Sequence, residues 1–441
     1  MDRVSNRPGR MALAAALAAL ATGGCLGRFH QPPSPLQAGF NPVEVLDPEG
    51  EARAGQTWDM RDLFALAERV RSEKKPAVPP PKRNILVLSG GGSFGAYSAG
   101  VLVGWSHAGT RPEFDVFTGI STGALIAPLA FLGVAYDCEL QNLYTTLRTQ
   151  DIFRLKKTVR SLFSESLADT SPLAKKIDEI ATTDLLRSVA AEHARGKRLY
   201  VGTTELESRR PVVWDLGEIA TRGTPDDLAL FRKILLASAS IPGVFPPVTI
   251  PVTIGGTPYT ERHVDGGVTQ ALFFRPPVLK PEDSGDAARA SLYGSDLTII
   301  VAGKLFADPE LAKLRVLNIT AGSVSTLIYA QTRGDLLKLY MASIVTGMNY
   351  RLAAMHADFA TTASAYEFEP KEMTKLFDEG YRQATCENPW RTTPPGVEKS
   401  EGAFLRGGPT LNRYDLNKPL PIPPTSRFRD MMNRIGNGGG A

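Results

Sequence analysis

The sequence predicts an α/β domain with a mainly parallel central sheet, and three observations lead there. Asn84–Ser89 (NILVLS) is an apolar run with the length of a buried strand. It flows into a glycine-rich turn and then into the small, apolar helical pattern of Ala96–His107. Asp115–Thr118 (DVFT) repeats the arrangement, entering Gly119-Ile120-Ser121-Thr122-Gly123 and a second apolar helix over Ala124–Leu132. Further strand-like runs at Arg198–Thr203, Pro211–Asp215, Leu297–Ala302 and Leu314–Ile319 supply more sheet.

The two strand–turn–helix units differ in chemistry. Gly90-Gly91-Gly92-Ser93-Phe94-Gly95 lets the backbone approach a ligand closely, so successive N–H groups can converge on an anion at a helix N-terminus. A phosphate suits such a cradle, and so does the oxyanion of an acyl-transfer intermediate. The second turn matches G-x-S-x-G, the nucleophile elbow, in which glycines flank the serine because a sharp turn leaves no room for side chains. Gly90, Gly92 and Gly95 also satisfy G-x-G-x-x-G, the dinucleotide fingerprint, which wants an acidic residue at the end of the second strand. Asp115 is the nearest candidate, but it begins its strand, and that strand ends in the serine elbow.

At 441 residues the chain can bury one large core or two smaller ones, and its 43% hydrophobic and 22% charged content is that of a globular protein. A net charge of +4 without a basic block or basic–aromatic stripe gives nucleic-acid binding no support. Arg3, Arg7 and Arg10 form a positive region ahead of the apolar Met11–Ala21, and Thr22-Gly23-Gly24 puts small residues before Cys25. The apolar run is too short for a permanent membrane span. The arrangement resembles a bacterial lipoprotein signal, with Thr22 where the usual box has Leu. That resemblance implies a signal peptide over 1–24, lipid on Cys25 and, with Leu26 rather than Asp next, an outer-membrane destination. Cys138 and Cys386 are then the remaining cysteines, with a disulfide open to them.

Residues 25–82 read as a lipid-anchored tether. Phe29–Pro48 is rich in Pro, Gln and Asn, Asp62–Lys74 is a short amphipathic helix, and Lys75–Arg83 is a stiff proline linker. The domain proper is expected over 83–385. Tyr136–Phe163 reads as mostly helical and Ser171–Ala194 as one helix or a pair. Asp227–Ser240 reads as a helix stopped by the rigid Ile241-Pro242-Gly243-Val244-Phe245-Pro246-Pro247 loop. His263-Val264-Asp265-Gly266-Gly267-Val268 puts a carboxylate at the tip of a strand before two glycines. Thr326–His356 carries long helical periodicity, and 386–441, laden with Pro, Gly and Asn, reads as an irregular tail.

Four ordered motifs, Gly90–Gly95, Gly119–Gly123, Ala237–Pro247 (A-S-x-x-I-P-G-x-F-P-P) and Asp265–Gly267 (D-G-G), resemble those of the patatin-like phospholipases over roughly residues 84–385. The resemblance implies a three-layer α/β/α domain and a Ser–Asp dyad without histidine. Ser121 would be the nucleophile, Asp265 the general base and the Gly90, Gly91 and Gly92 amides the oxyanion hole. Phe94 stands where the family often has Arg or Lys, which removes a cation that could meet a phosphate headgroup. Thr269-Gln270-Ala271 replaces the family's common Asn and Pro.

The chemistry is self-consistent. A serine hydroxyl becomes a useful nucleophile when a neighbouring base accepts its proton, and a partly buried carboxylate with a raised pKa can be that base. Of the five histidines, His263 shares a strand face with Asp265. His356 has the late position of an α/β-hydrolase triad but no strand–loop context in the sequence. No His or Cys spacing suggests a metal, and no cofactor is expected. The expected activity is lipid acyl hydrolysis of carboxylic esters, on a lipid substrate at a membrane. The alternatives are a non-enzymatic envelope protein that binds lipid or a partner on the same scaffold, and nucleotide binding at the glycine-rich loop.

Overall fold

The computed structural model describes residues 80–156, 166–254, 257–274, 292–307 and 316–395. The expected signal peptide, Cys25, the tether and the Asp62–Lys74 helix lie outside the described residues.

The sheet is built around β1 (Asn84–Leu88), whose alternate side chains enter two separate cores. Leu86 and Leu88 face one cluster, Ile85 and Val87 the other. A strand buried on both faces has no polar side to show, which is why the sequence reads as a continuous apolar run. Helix α1 (Gly95–His107) leads to β2 (Val116–Ile120), then α2 (Thr122–Leu132), α3 (Asp137–Thr146), α4 (Ser171–Ile180) and α5 (Thr183–Ala194). β3 (Arg198–Glu205) turns back into β4 (Arg210–Asp215), followed by α6 (Leu216–Arg222) and α7 (Pro225–Ser238). The hairpin β5 (Val248–Ile254) and β6 (Thr257–Asp265) precedes β7 (Asp296–Ile300), α8 (Val316–Thr346), β8 (Asn349–Ala353) and α9 (Pro370–Cys386).

The strand order is β8-β7-β1-β2-β3-β6-β5, with β4 also paired to β3. β8, β7, β1, β2 and β3 run parallel; β4, β5 and β6 add an antiparallel extension. One face of the sheet carries α1 to α7 and α9. The other packs under the second half of α8 through Leu336, Leu339, Tyr340 and Ile344. This is a three-layer α/β/α arrangement with a mainly parallel sheet, as the sequence predicts.

Several elements differ from the sequence reading. The strand expected over Leu314–Ile319 is helix α8 from Val316 onward, and its first two residues lie outside the described residues. Its β-branched residues satisfy a strand pattern locally, but no breaker separates them from the long helical segment they begin. The helix ends at Gly347, whose φ of 74° takes the chain out of the helix. The following Asn349–Ala353 is then free to pair with β7 as a strand rather than continuing helix to His356. Tyr136–Phe163 is helical only in part, since Arg154–Leu155 pairs antiparallel with Ala168–Asp169. Past Cys386, the described start of the tail has no helix or strand but is packed on the domain: Trp390 lies on Trp105 with ring centroids 4.4 Å apart, and Arg391 bridges to Leu352. The rest of the tail lies outside the described residues. Cys138 and Cys386 are both free and exposed.

Helix α9 holds α1 in place. The two cross so closely that a Cβ at Gly380 would stand 2.2 Å from the Tyr97 carbonyl oxygen, and one at Gly100 2.0 Å from that of Phe377. The buried Tyr97 hydroxyl donates to Gln383 Oε1 at 2.7 Å across the same contact. Because the colliding atoms are helix backbone, they cannot rotate away. Gly380→Ala is therefore expected to destabilise the fold by about 1–3 kcal/mol, read as a lowered urea midpoint. An unchanged midpoint would show that the helices can separate freely.

Candidate active site

Ser121 follows directly from the end of β2. Ile120 is the last residue of that strand, in register with Gly202 of β3. The chain then reverses into α2 with Ser121 at φ 55° and ψ −125°, a conformation that L-residues rarely adopt. The flanking glycines permit this turn. A Cβ at Gly119 would lie 2.5 Å from the Gly123 carbonyl oxygen, and one at Gly123 2.5 Å from that of Leu88. Ser238, fully buried near the end of α7, secures the elbow from behind: its Oγ accepts the Ser121 N–H at 3.0 Å and donates to the Gly202 carbonyl at 2.7 Å.

Asp265 reaches the same place by sheet register. On one edge of β3, residues 198–202 pair with β2. β4 occupies the other edge through residues 200–205, so β6, which pairs Thr203 with Asp265, must continue along the edge that β2 has left. Asp265 thus lies where the next residue after Ile120 would have paired. Its own N–H donates to the Ser240 carbonyl at 2.8 Å. Gly266 lies against Gly202, where a Cβ would stand 2.6 Å from the carbonyl oxygen.

The carboxylate is buried, and burial pushes its pKa up to about 6; hydrogen bonds from the Ser121 hydroxyl and the Gly267 N–H pull it partly back. The Gly267 bond, to Oδ1, is 2.7 Å long. A hydroxyl that already faces a carboxylate of that basicity has an acceptor for its proton near neutral pH.

The glycine-rich loop completes the site. A Cβ at Gly90 would stand 3.0 Å from Ser121 Cβ and 3.7 Å from its Oγ, so only glycine leaves the serine clear. The Ser93 and Phe94 amides are taken, by the carbonyls of Ala365 at 3.1 Å and Gly91 at 3.2 Å. Among the described residues no acceptor takes the N–H groups of Gly90, Gly91 or Gly92. The loop is held from outside. Ser89 Oγ accepts the Ala302 N–H and Ser93 Oγ donates to the Ser364 carbonyl, both at 2.8 Å. A Cβ at Gly92 would overlap the Ala365 carbonyl. Phe94, where a cation was expected by resemblance, packs toward Gly303. Burial raises the pKa of the Tyr366 phenol, and the Asp265 charge adds to the rise.

Sequence reasoning missed Ser238, Ser240 and the 364–366 turn. The first two were within reach, because they are the serines of the Ala237–Pro247 motif, there read only as a helix end and rigid loop. The turn carries no motif and could not have been found. Gln331 of α8, whose side chain donates to the Gly267 carbonyl at 3.1 Å, was equally silent.

The rival groups sit elsewhere. Asp115 accepts the Asn84 N–H at 2.7 Å, at the opposite end of β1 from the glycine loop, so it cannot hold a ribose bound there. A groove of about 820 Å³ lined by Arg83, Arg111, Asp115 and Arg198 is at that far end too. His356 follows strand β8, not a helix, and faces Glu387 at 4.0 Å. His263 is fully buried two residues from Asp265, but its ring nitrogens are engaged by Thr203 and Glu261, each at 3.0 Å. Among the described residues no group of three or more His, Cys, Asp or Glu side chains could hold a metal ion.

The raised Asp265 pKa has a consequence for stability. An exposed Asp releases its proton near pH 3.8, whereas folded Asp265 keeps it to about 6. Between those values the unfolded chain releases a proton that the folded chain retains. Stability therefore falls as pH rises through the window, by on the order of 3 kcal/mol in all. Asp265→Asn removes the titration, so the variant is expected to melt above the wild type at pH 7–8, with the difference closing toward pH 4. A constant difference across that range would exclude the raised pKa.

The pattern of the patatin-like phospholipase family matches residues 86–278. Among solved structures, VipD from Legionella pneumophila aligns at 13% identity and a TM-score of 0.33, over 69% of this chain and 66% of its own. The type III effector protein ExoU aligns at 14% identity and a TM-score of 0.25, over 70% of this chain and 52% of its own. No curated protein sequence matches the chain. Residues 86–278, which contain both turns, the Ala237–Pro247 motif and Asp265, carry a patatin-like phospholipase domain.

Proposed function

We propose that this protein is a lipid acyl hydrolase that cleaves carboxylic esters through a Ser121–Asp265 dyad. The observation that carries the reading is the strained, buried Ser121 set by sheet register beside the Asp265 carboxylate, whose burial keeps it basic. The match of residues 86–278 to a phospholipase family supports lipid as the substrate class. Asp265 takes the hydroxyl proton as Ser121 Oγ attacks the ester carbonyl. The N–H groups of Gly90–Gly92 stabilise the oxyanion. The tetrahedral adduct collapses to an acyl-serine as Asp265 returns the proton to the leaving alcohol. Water then gives its proton to the same carboxylate while its oxygen attacks the acyl-serine. The carboxylic acid leaves and the serine recovers its proton.

The N-terminal sequence supports a further part of the proposal, that the enzyme is a bacterial lipoprotein of the outer membrane held through lipid on Cys25. One acyl chain holds a protein weakly and two or more hold it firmly. Radiolabelled palmitate is expected to enter the wild-type chain and not Cys25→Ser; equal labelling would exclude Cys25 as the anchor.

Ser121→Ala and Asp265→Asn are each expected to lower ester hydrolysis by at least about 10³-fold with the fold retained by circular dichroism. Wild-type activity should rise through a midpoint near pH 6 as Asp265 loses its proton. A fluorophosphonate should add once, at Ser121, by peptide mapping. Full activity in either variant would exclude the dyad. A folded wild-type protein that binds lipid without turning it over would favour the non-enzymatic reading.

A further inference from the structure

Asp265 is followed by two glycines, and each has a steric reason. Gly266 lies against the Gly202 carbonyl, and a Cβ at Gly267 would stand 3.0 Å from Asp265 Oδ1 itself. A side chain at position 267 would therefore press on the carboxylate. Glycine, however, restrains its own backbone least. The Gly267 N–H is also the one main-chain donor that the Asp265 carboxylate receives among the described residues. The turn closes through the Thr269 and Gln270 N–H groups, which both donate to the Gly266 carbonyl, at 3.1 and 3.0 Å. Those bonds do not reach the carbonyl of Gly267.

Helix α8 supplies that hold. Gln331 Nε2 donates to the Gly267 carbonyl at 3.1 Å, and Asp335 Oδ2 accepts the Ala271 N–H at 2.8 Å. Gln331 and Asp335 are four residues apart, so they project from one face of the helix. Their main-chain partners are also four apart, and a single helix face grips the loop at both ends. Asp335 is 2% exposed, and Lys338 engages its other oxygen at 2.9 Å. The face is itself anchored, because Leu336, Leu339, Tyr340 and Ile344 are buried against the sheet. A third tie comes from β3, where the hydroxyls of Thr204 and Thr269 lie 2.9 Å apart.

We infer that Gln331, supported by Asp335, is a positioning residue that pins Gly267 so that its N–H stays on the Asp265 carboxylate. The inference rests on the Ser121–Asp265 reading for its purpose. A donor on a carboxylate favours the ionised form, so releasing the Gly267 N–H makes Asp265 harder to ionise. Less of the enzyme would then hold its base ready near neutral pH. The other titratable groups on the elements around Asp265 leave this bond its influence. Burial and the Asp265 charge both raise the Tyr366 pKa, so that phenol stays neutral through the range. His263 is engaged by Thr203 and Glu261, and Asp335 by Ala271 and Lys338.

The test compares the full chain as wild type, Gln331→Met and Gln331→Ala. Methionine has the length and helix propensity of glutamine but no donor. Hydrolysis of a soluble p-nitrophenyl ester is followed from pH 4 to pH 9. Both variants are expected to move the midpoint of the pH–rate profile up by about 0.5–1 pH unit. Their loss of rate is then about two- to fivefold greater at pH 6 than at pH 9. A midpoint unchanged in both variants would overturn the inference, because a purely structural loss lowers the rate alike at every pH.

Urea unfolding reads the same bond without activity. A higher folded-state pKa leaves the folded variant holding a proton that its unfolded chain has released, over a wider pH window. The variants' deficit in urea midpoint against wild type should therefore widen from pH 5 to pH 8, and stay constant in an Asp265→Asn background. A deficit independent of pH in both backgrounds would also overturn the inference. Absence of ester hydrolysis by the folded wild type would sink the dyad reading, while the urea series would still decide whether Gln331 governs the protonation of Asp265.

Discussion

The backbone of Ser121 is held at φ 55° and ψ −125°, where an L-residue remains only if its surroundings compel it. Such a conformation costs on the order of 1–3 kcal/mol, and the neighbouring elements supply the restraint. Gly119 and Gly123 leave no Cβ to block the turn, Ser238 ties the Ser121 amide to the carbonyl of Gly202, and Gly90 keeps the space in front of Oγ open. The same Gly202 carbonyl packs against Gly266, next to Asp265. One point of β3 therefore anchors both the proposed nucleophile and the proposed base. That is a strong constraint on mutual geometry with little side-chain machinery.

A second constraint is electrostatic. Asp265 faces Ser121 rather than an arginine or lysine, and a cation there would lower its pKa and spoil it as a base. Burial raises the pKa, and two hydrogen bonds stop the rise at about 6. Phe94 on the adjacent loop turns an apolar ring toward Gly303, so this position of the glycine-rich loop adds no charge to the site.

Much of this was legible in the sequence, for identifiable reasons. Sharp strand-to-helix turns admit few residue types, so Gly90–Gly95 and Gly119–Gly123 stand out, and β1 is buried on both faces and reads as an unbroken apolar run. What escaped depends on long-range placement. β5 lies in a hairpin next to a proline-rich loop, and β8 is a strand only because β7 offers it an edge. The 364–366 turn acquires its meaning from Gly92 and Ser93, some 270 positions earlier in the chain. Leu314–Ile319 failed differently: its local composition favours a strand, and only the helix it opens overrules it.

The contact between α1 and α9 bears on how this protein can be cut, fused or transplanted. Helix α1 springs from the glycine-rich loop, yet its position depends on Gly380 and Gln383, more than a hundred residues beyond the family match at 278. β7 and β8 also lie beyond that boundary, and without them β1 would present an unpaired edge in the middle of the sheet. A gene fragment ending where the recognisable homology ends would encode the nucleophile, the base and the elbow, but not an autonomous folding unit. In this chain the limits of shared ancestry fall well inside the limits of the cooperative structure.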